Sequence, residues 1–403
     1  MTDPIDEIRP PALGLTALFL KFLAFGALAF GGPVAQIAMV RQALVEQERW
    51  IAPARFNRLL AVLQVLPGPE AHELCVHLGM MARGRIGGLL AGLGFMLPGL
   101  ALMMVAGWLY VGWIAGHVGL SGVLLGVQIV VLAVIARAVV RIGQHIIEDR
   151  LLGAIALVGL GATLLGVPFW IMLIAGGAAY AVAQRPVVAA LVLLVPVIGA
   201  AVIGAAAIGH FAGATGGVGP IVTHAPATLA MLFVAGLKGG LLTFGGAYTA
   251  IPYVRADTVG RGWISDSVFL DGIALAGVLP APLVIFATFV GYVAGGPLGA
   301  LAVTAGMFLP AFAFSLIFFE RLEAVVENPA LHRMLTGVAA AVVGIIGATF
   351  AQLALATGGR VTNPVVAGAL FVVALTVAWR VKGAWVTPAI LGGGAIIGWL
   401  VSP

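Results

Sequence analysis

Glu70 and Glu73 follow a proline-flanked glycine, Leu66-Pro67-Gly68-Pro69, inside a run that is otherwise apolar. Pro67 and Pro69 have no amide hydrogen and Gly68 tolerates dihedrals that other residues avoid, so a helix arriving from about Asn57 must stop here. A second helix then starts. Pro69 suits its first position, and Glu70, Ala71 and His72 are expected to present free amides and the positive end of the helix dipole to the break. Inside a membrane such an opening binds anions. The two carboxylates admit two roles. Either they stabilise the helix start, or, buried close together, at least one of them carries protons. His72 and His77 are less telling, since a hydrogen bond within a helix bundle accounts for either.

A second break, Gly31-Gly32-Pro33, lies upstream, and both breaks have counterparts later in the chain at Gly245-Gly246-Ala247 and Pro280-Ala281-Pro282. A single break can be explained by close helix packing or a proline kink. Paired breaks at matching places point instead to the substrate site of a secondary transporter, with half-helix starts converging near the midplane. Thr243, Tyr248 and Thr249 flank the second glycine pair and could donate hydrogen bonds to an anion's oxygens or simply join helices. Lys21 and Lys238 lie within apolar segments. They either snorkel to the interface or face inward, where they would supply positive charge to a dianion.

The elements that must position these residues are membrane helices. Of 403 residues, 62% are hydrophobic and 9% charged, and the mean hydropathy is +1.15, a balance foreign to soluble domains. Apolar windows of about 17 to 25 residues recur to the C-terminus, each long enough to cross about 30 Å of hydrocarbon as a helix. A barrel would show alternating ten-residue strands instead. Helices are expected over roughly 12–32, 57–82, 86–113, 120–142, 151–166, 168–184, 187–208, 226–246, 266–295, 297–319, 331–356, 363–381 and 384–401. That makes about thirteen crossings, with the broken segments 57–82 and 266–295 open to reading as re-entrant hairpins.

The chain repeats itself. Phe30-Gly31-Gly32 recurs as Phe244-Gly245-Gly246, Trp50-Ile51 as Trp263-Ile264, Leu66-Pro67-Gly68-Pro69 as Leu279-Pro280-Ala281-Pro282, and Leu97-Pro98 as Leu309-Pro310. Residues 1–185 and 226–403 are thus expected to be homologous halves, joined by a linking helix and loop over 186–225. An even number of passes per half plus one linking pass gives an inverted-topology repeat. With the N-terminus inside, most arginines fall on the cytoplasmic side. Arg41, Arg49, Arg55, Arg58 and Arg360 do not. The stretch from Val34 to Arg58 could fold back into the protein.

Other function classes find no support. The net charge of +5 and the pI near 9.8 come from arginines scattered at segment ends, so nucleic acid is not an expected partner. The acidic N-terminal stretch, with no small-residue cleavage site after the first apolar run, gives no sign of a cleaved signal peptide. Cys75 is the one cysteine and reads as a buried thiol without metal spacing. No P-loop, zinc-protease or serine-elbow motif is present, so neither an enzyme activity, ATP hydrolysis nor a cofactor is expected.

These motifs resemble the chromate ion transporter (CHR) family of bacterial inner-membrane proteins, over nearly the whole chain. The family's first-half pattern stands here as Phe30 to Pro33, Arg41, Trp50 and Leu66 to Pro69. Its second-half pattern stands as Phe244 to Tyr248, Pro252-Tyr253, Gly262-Trp263 and Leu279 to Pro282. Ala281 departs from the usual glycine, and the second break lacks acidic residues. The resemblance implies a transporter with antiparallel homologous halves that exports chromate at the expense of membrane potential or a proton gradient. Composition and spacing alone reach only an anion-binding secondary transporter and do not separate chromate from sulfate; a membrane receptor or scaffold is the reading from another class. The implied partners are the oxyanion and the lipid bilayer, with pairing of two copies left open.

Overall fold

The computed structural model describes residues 10–11, 13–30, 32–63, 68–114, 120–195, 197–199, 202, 226–243, 247–318, 329–381, 383 and 385–401. All regular structure among them is helical. Gly31, Leu66, Pro67 and the triplet Phe244-Gly245-Gly246 lie outside the described residues, as does most of the linking segment.

Among the described residues, four helical stretches are long and apolar enough to cross a membrane: Glu70–Ile114, Ser121–Ile146, Leu283–Ile317 and Arg333–Gly358. Two of them are not straight. The helix Glu70–Leu109 leaves helical geometry at Arg83 (φ −144°, ψ 31°) and Gly84 (φ 61°, ψ −159°). The helix Phe286–Ala313 does so at Gly295 (φ −149°, ψ 20°) and Gly296 (φ 66°, ψ −162°). Only glycine occupies the second pair of angles without strain. At both places the chain reverses. A Cβ built on Gly88 would lie 2.9 Å from the carbonyl oxygen of Val76, and the hydroxyls of Thr288 and Thr304 meet at 2.6 Å. Each is therefore a hairpin with a short arm (70–82 and 286–294) and a longer one (85–109 and 297–313), turned by the same dihedral pair in both halves of the sequence.

The segments 57–82 and 266–295, expected to be broken, are interrupted. In place of the first stand Pro53–Leu63 and the short arm that begins at Glu70; in place of the second, Asp266–Val278, the turn Leu283–Ile285 and the second short arm. The short arms, 70–82 and 286–294, span only about 20 Å and about 14 Å, less than the hydrocarbon core. The stretch left open as folding back holds Gly32–Arg41, a wide turn Gln42–Gln47 and Pro53–Leu63, each too short to cross. Other boundaries lie close to those expected, as at Arg150–Leu164, Phe169–Ala181 and Pro364–Arg380.

The chain divides into two compact units. The first comprises 1–137, 227–323 and 356–403 and contains both hairpins. Each long arm receives a short helix on a glycine stripe: Leu15–Ala27 through Gly26 and Gly94, and Leu229–Leu241 through Gly236, Gly240 and Gly306, where an added Cβ would meet the partner's backbone carbonyl. Small residues let membrane helices approach closely enough for dispersion contacts to hold them. The second unit comprises 138–226 and 324–355. There Gly159 and Gly176 face the helix Pro329–Gly358 at Ala341 and Gly337. Asp149 caps the helix Arg150–Leu164 by accepting from the Leu152 amide (2.8 Å) and from the Tyr180 hydroxyl (2.8 Å).

Candidate functional site

Within the first unit the breaks of one sequence half meet those of the other. Ala29 and Thr243 each precede a Phe-Gly-Gly triplet, and Gly68 and Ala281 each stand between two prolines. The Gly68 amide donates to the Thr243 carbonyl at 2.9 Å. Reciprocally, the side-chain amide of Gln36 donates to the carbonyls of Ala29 and Ala281, both at 2.9 Å. The long arms obey the same exchange: Gly99 of the first hairpin rests on Ala281, and Ala311 of the second lies 3.4 Å from where a Cβ of Gly68 would sit. Four chain breaks are drawn together in two pairs, each pair mixing the halves.

At the first break Pro69 precedes the helix rather than opening it, and its carbonyl accepts from the amides of His72 (2.8 Å) and Glu73 (3.0 Å). The His72 amide, expected free, is therefore engaged. Gly68 has φ +149° and its missing side chain makes room for Glu73: a Cβ there would strike Glu73 Oε1 and lie 2.9 Å from its carboxyl carbon. Glu73 is fully buried, and neither of its carboxylate oxygens has a hydrogen-bond donor among the described residues. Glu70 is buried beside it, close enough for the two charges to act on each other. The His72 ring lies edge-on between Phe308 and Phe312 of the second hairpin, with centroids 4.9 and 4.8 Å away.

The two lysines, open to snorkelling or to facing inward, are both ion-paired. Lys21 pairs with Glu48 and lies 5.6 Å from the centre of the Trp50 ring, whose Nε1 also donates to Glu48. Lys238 pairs with Asp257 at 3.1 Å, a carboxylate that Arg261 contacts as well. Thr243 donates its hydroxyl to the Gly239 carbonyl at 2.5 Å, which spends its donor within its own chain segment. Gly32 and Pro33 open the helix Gly32–Arg41. Tyr248 sits in the turn Ala247–Ala250, half-buried.

Three features were not legible beforehand. Gln36 sits at no recognisable motif position. Arg137, in the middle of the apolar helix Ser121–Ile146, lies near enough to Tyr248 for its charge to act on the hydroxyl; an arginine amid an apolar window was the signal that could have found it. Third, Asp271 is buried and accepts from Tyr110 Oη and Gln128 Nε2, both at 2.7 Å, while Gln128 Oε1 accepts from Arg360 at 2.6 Å. Arg360, which ran against the charge rule, is thus held by a polar network. No group of three or more metal-ligating side chains occurs among the described residues.

Chemically this region combines backbone breaks, glycine clearance and two buried carboxylates, of which Glu73 has no donor among the described residues, with the Arg137 charge acting on Tyr248. That arrangement suits an oxyanion and a proton.

The family model described as "Chromate transporter" matches residues 16–209 and 230–399. The chain is 55% identical to the chromate transport protein of Pseudomonas aeruginosa, over 100% of this chain and 96% of that one. It is 29% identical to the chromate transport protein of Cupriavidus metallidurans (98% and 94% covered) and 29% to a probable chromate transport protein of Synechococcus elongatus (96% and 96%). No solved structure matches the chain. With apolar helices throughout and a family match along nearly its whole length, this multi-pass membrane protein belongs to the chromate transporter family.

Proposed function

We propose that the protein exports chromate across the bacterial cytoplasmic membrane as a secondary transporter, built as two inverted homologous halves. The observation that carries this is the reciprocal meeting of the breaks, Gly68 with Thr243 and Gln36 with Ala29 and Ala281. Broken segments that meet across a repeat are where secondary transporters hold substrate. The two separate stretches matched by the family model support the reading of two halves around a linking segment.

On this reading the anion is held by the backbone around Gly31, Gly32 and Pro33, by Gly68, Pro69 and the helix start at Glu70, and by Gly245 and Gly246, with Thr243 as a backbone anchor and Tyr248 as a hydroxyl donor. Arg137 supplies the positive charge first expected of Lys21 and Lys238, which reach the site only through the field of their ion pairs. Glu70 and Glu73 carry the coupling proton. An uncompensated carboxylate is expensive to bury as an anion, and a dianion beside it would add repulsion. A proton taken up with the anion removes both penalties, and its release resets the site.

Sulfate, a tetrahedral dianion of the same shape, is the second reading. Vesicles containing the purified protein, loaded with labelled chromate or sulfate under an imposed pH gradient or potential, decide between them. Chromate flux well above that of empty vesicles is expected; flux of sulfate alone would favour the second reading.

A further inference from the structure

Gln36 is 1% exposed and lies in the apolar interior, where a side-chain amide is tolerated only if its hydrogens are bonded. Both hydrogens are: one on the Ala29 carbonyl, one on the Ala281 carbonyl. Two carbonyl acceptors fix the nitrogen on that side, so Oε1 points the other way, where no donor meets it among the described residues. A buried acceptor left open is costly, so this amide is poor as mere packing.

The partner contact explains its place. At the first break the tie between halves is made by main chain alone, Gly68 N–H to Thr243. At the second break the glycine is replaced by Ala281, and the corresponding join is made by the Gln36 side chain. From the other side Gly99 of the first hairpin closes on Ala281. The second break is therefore held between a glycine contact that only fixes distance and one amide that fixes orientation.

We propose that Gln36 is a positioning residue of the anion site: its amide holds the Ala281 break against the end of the first helix in the geometry that binds the oxyanion. This rests on the breaks being the site. Two variants of the full chain in lipid nanodiscs test it, Gln36→Met, of similar size without donors, and Gln36→Glu, which donates only when protonated. Chromate binding is measured by equilibrium dialysis, and thermal unfolding is followed in parallel. Each Kd is expressed as a ratio to the unsubstituted protein at the same pH, which cancels protonation of the anion itself.

Gln36→Met should weaken binding about tenfold, as expected for the loss of a buried pair of hydrogen bonds. Gln36→Glu should be as weak at alkaline pH and recover towards a ratio of one on acidification. A purely structural residue would lower the unfolding temperature while both ratios stayed within about twofold at every pH, and that result overturns the proposal. If Gln36→Met fails to fold, the pH course of Gln36→Glu decides alone: a flat ratio near one rejects the role. No binding by the unsubstituted protein would instead reject the anion site itself.

Discussion

Glu73 shows how one residue's chemistry follows from its neighbour's lack of a side chain. Because Gly68 has no Cβ, the Glu73 carboxylate lies against the break, out of water and without a donor among the described residues. Gly68→Leu would drive a branched side chain into that carboxylate and into Ala311, at a φ of +149° that leucine rarely adopts. Chromate flux is expected to vanish while the protein still inserts, as judged by its yield in the membrane fraction. Glu73→Gln and Glu70→Gln test the proton. Each amide keeps the size of the side chain and removes its titration, so flux should persist but lose its dependence on an imposed pH gradient in at least one of them. Unchanged pH dependence in both would return the two glutamates to helix-start stabilisation. Arg137→Ala should weaken chromate flux at least tenfold, in line with the loss of a charge-assisted contact; Arg137→Lys, retaining charge without the planar fork, should fall between.

At the scale of elements, the hairpin turns carry the clearest predictions. Gly84 and Gly296 hold dihedrals open only to glycine, and an added Cβ would meet nothing within 4 Å at either. Gly84→Ala and Gly296→Ala therefore report backbone strain without a clash, about 1–3 kcal/mol each, read as a lowered unfolding midpoint. In the second unit the Asp149 cap works differently. Burial pushes its carboxyl up, but hydrogen bonds from the Leu152 amide, the Tyr180 hydroxyl and the Leu151 amide outweigh that and hold it below the ordinary aspartate value. A depressed carboxylate contributes stability that is present above its unfolded-state value and lost as the pH falls through the folded one. Asp149→Ala should cost about 1 kcal/mol at neutral pH, and the difference from the parent should shrink in acid. The sequence made the breaks legible because proline and glycine act locally, and Pro67-Gly68-Pro69 ends a helix in any context. It left the hairpins undetermined. Arg83-Gly84 and Gly295-Gly296 read as ordinary interhelical positions, and whether a short apolar arm spans or turns back depends on the glycine faces that receive it.

Across the whole molecule, the repeat was visible as paired motifs, and its consequence became visible only in space. Nothing local in Gln36 or Thr243 announces that each touches the other half's break, since those contacts join residues more than a hundred positions apart. The ion pairs of Lys21 and Lys238 were hidden for the same reason: their partners Glu48 and Asp257 are set by folding, not by the apolar windows around the lysines. The arrangement makes one claim above the rest, that the interlocked breaks carry chromate. The most direct test is the initial rate of labelled chromate flux in vesicles holding either the unsubstituted protein or Gly68→Leu at equal density, under one imposed gradient. Flux well above empty vesicles for the former and at the level of empty vesicles for the latter is the predicted result; equal flux from both proteins would contradict the account.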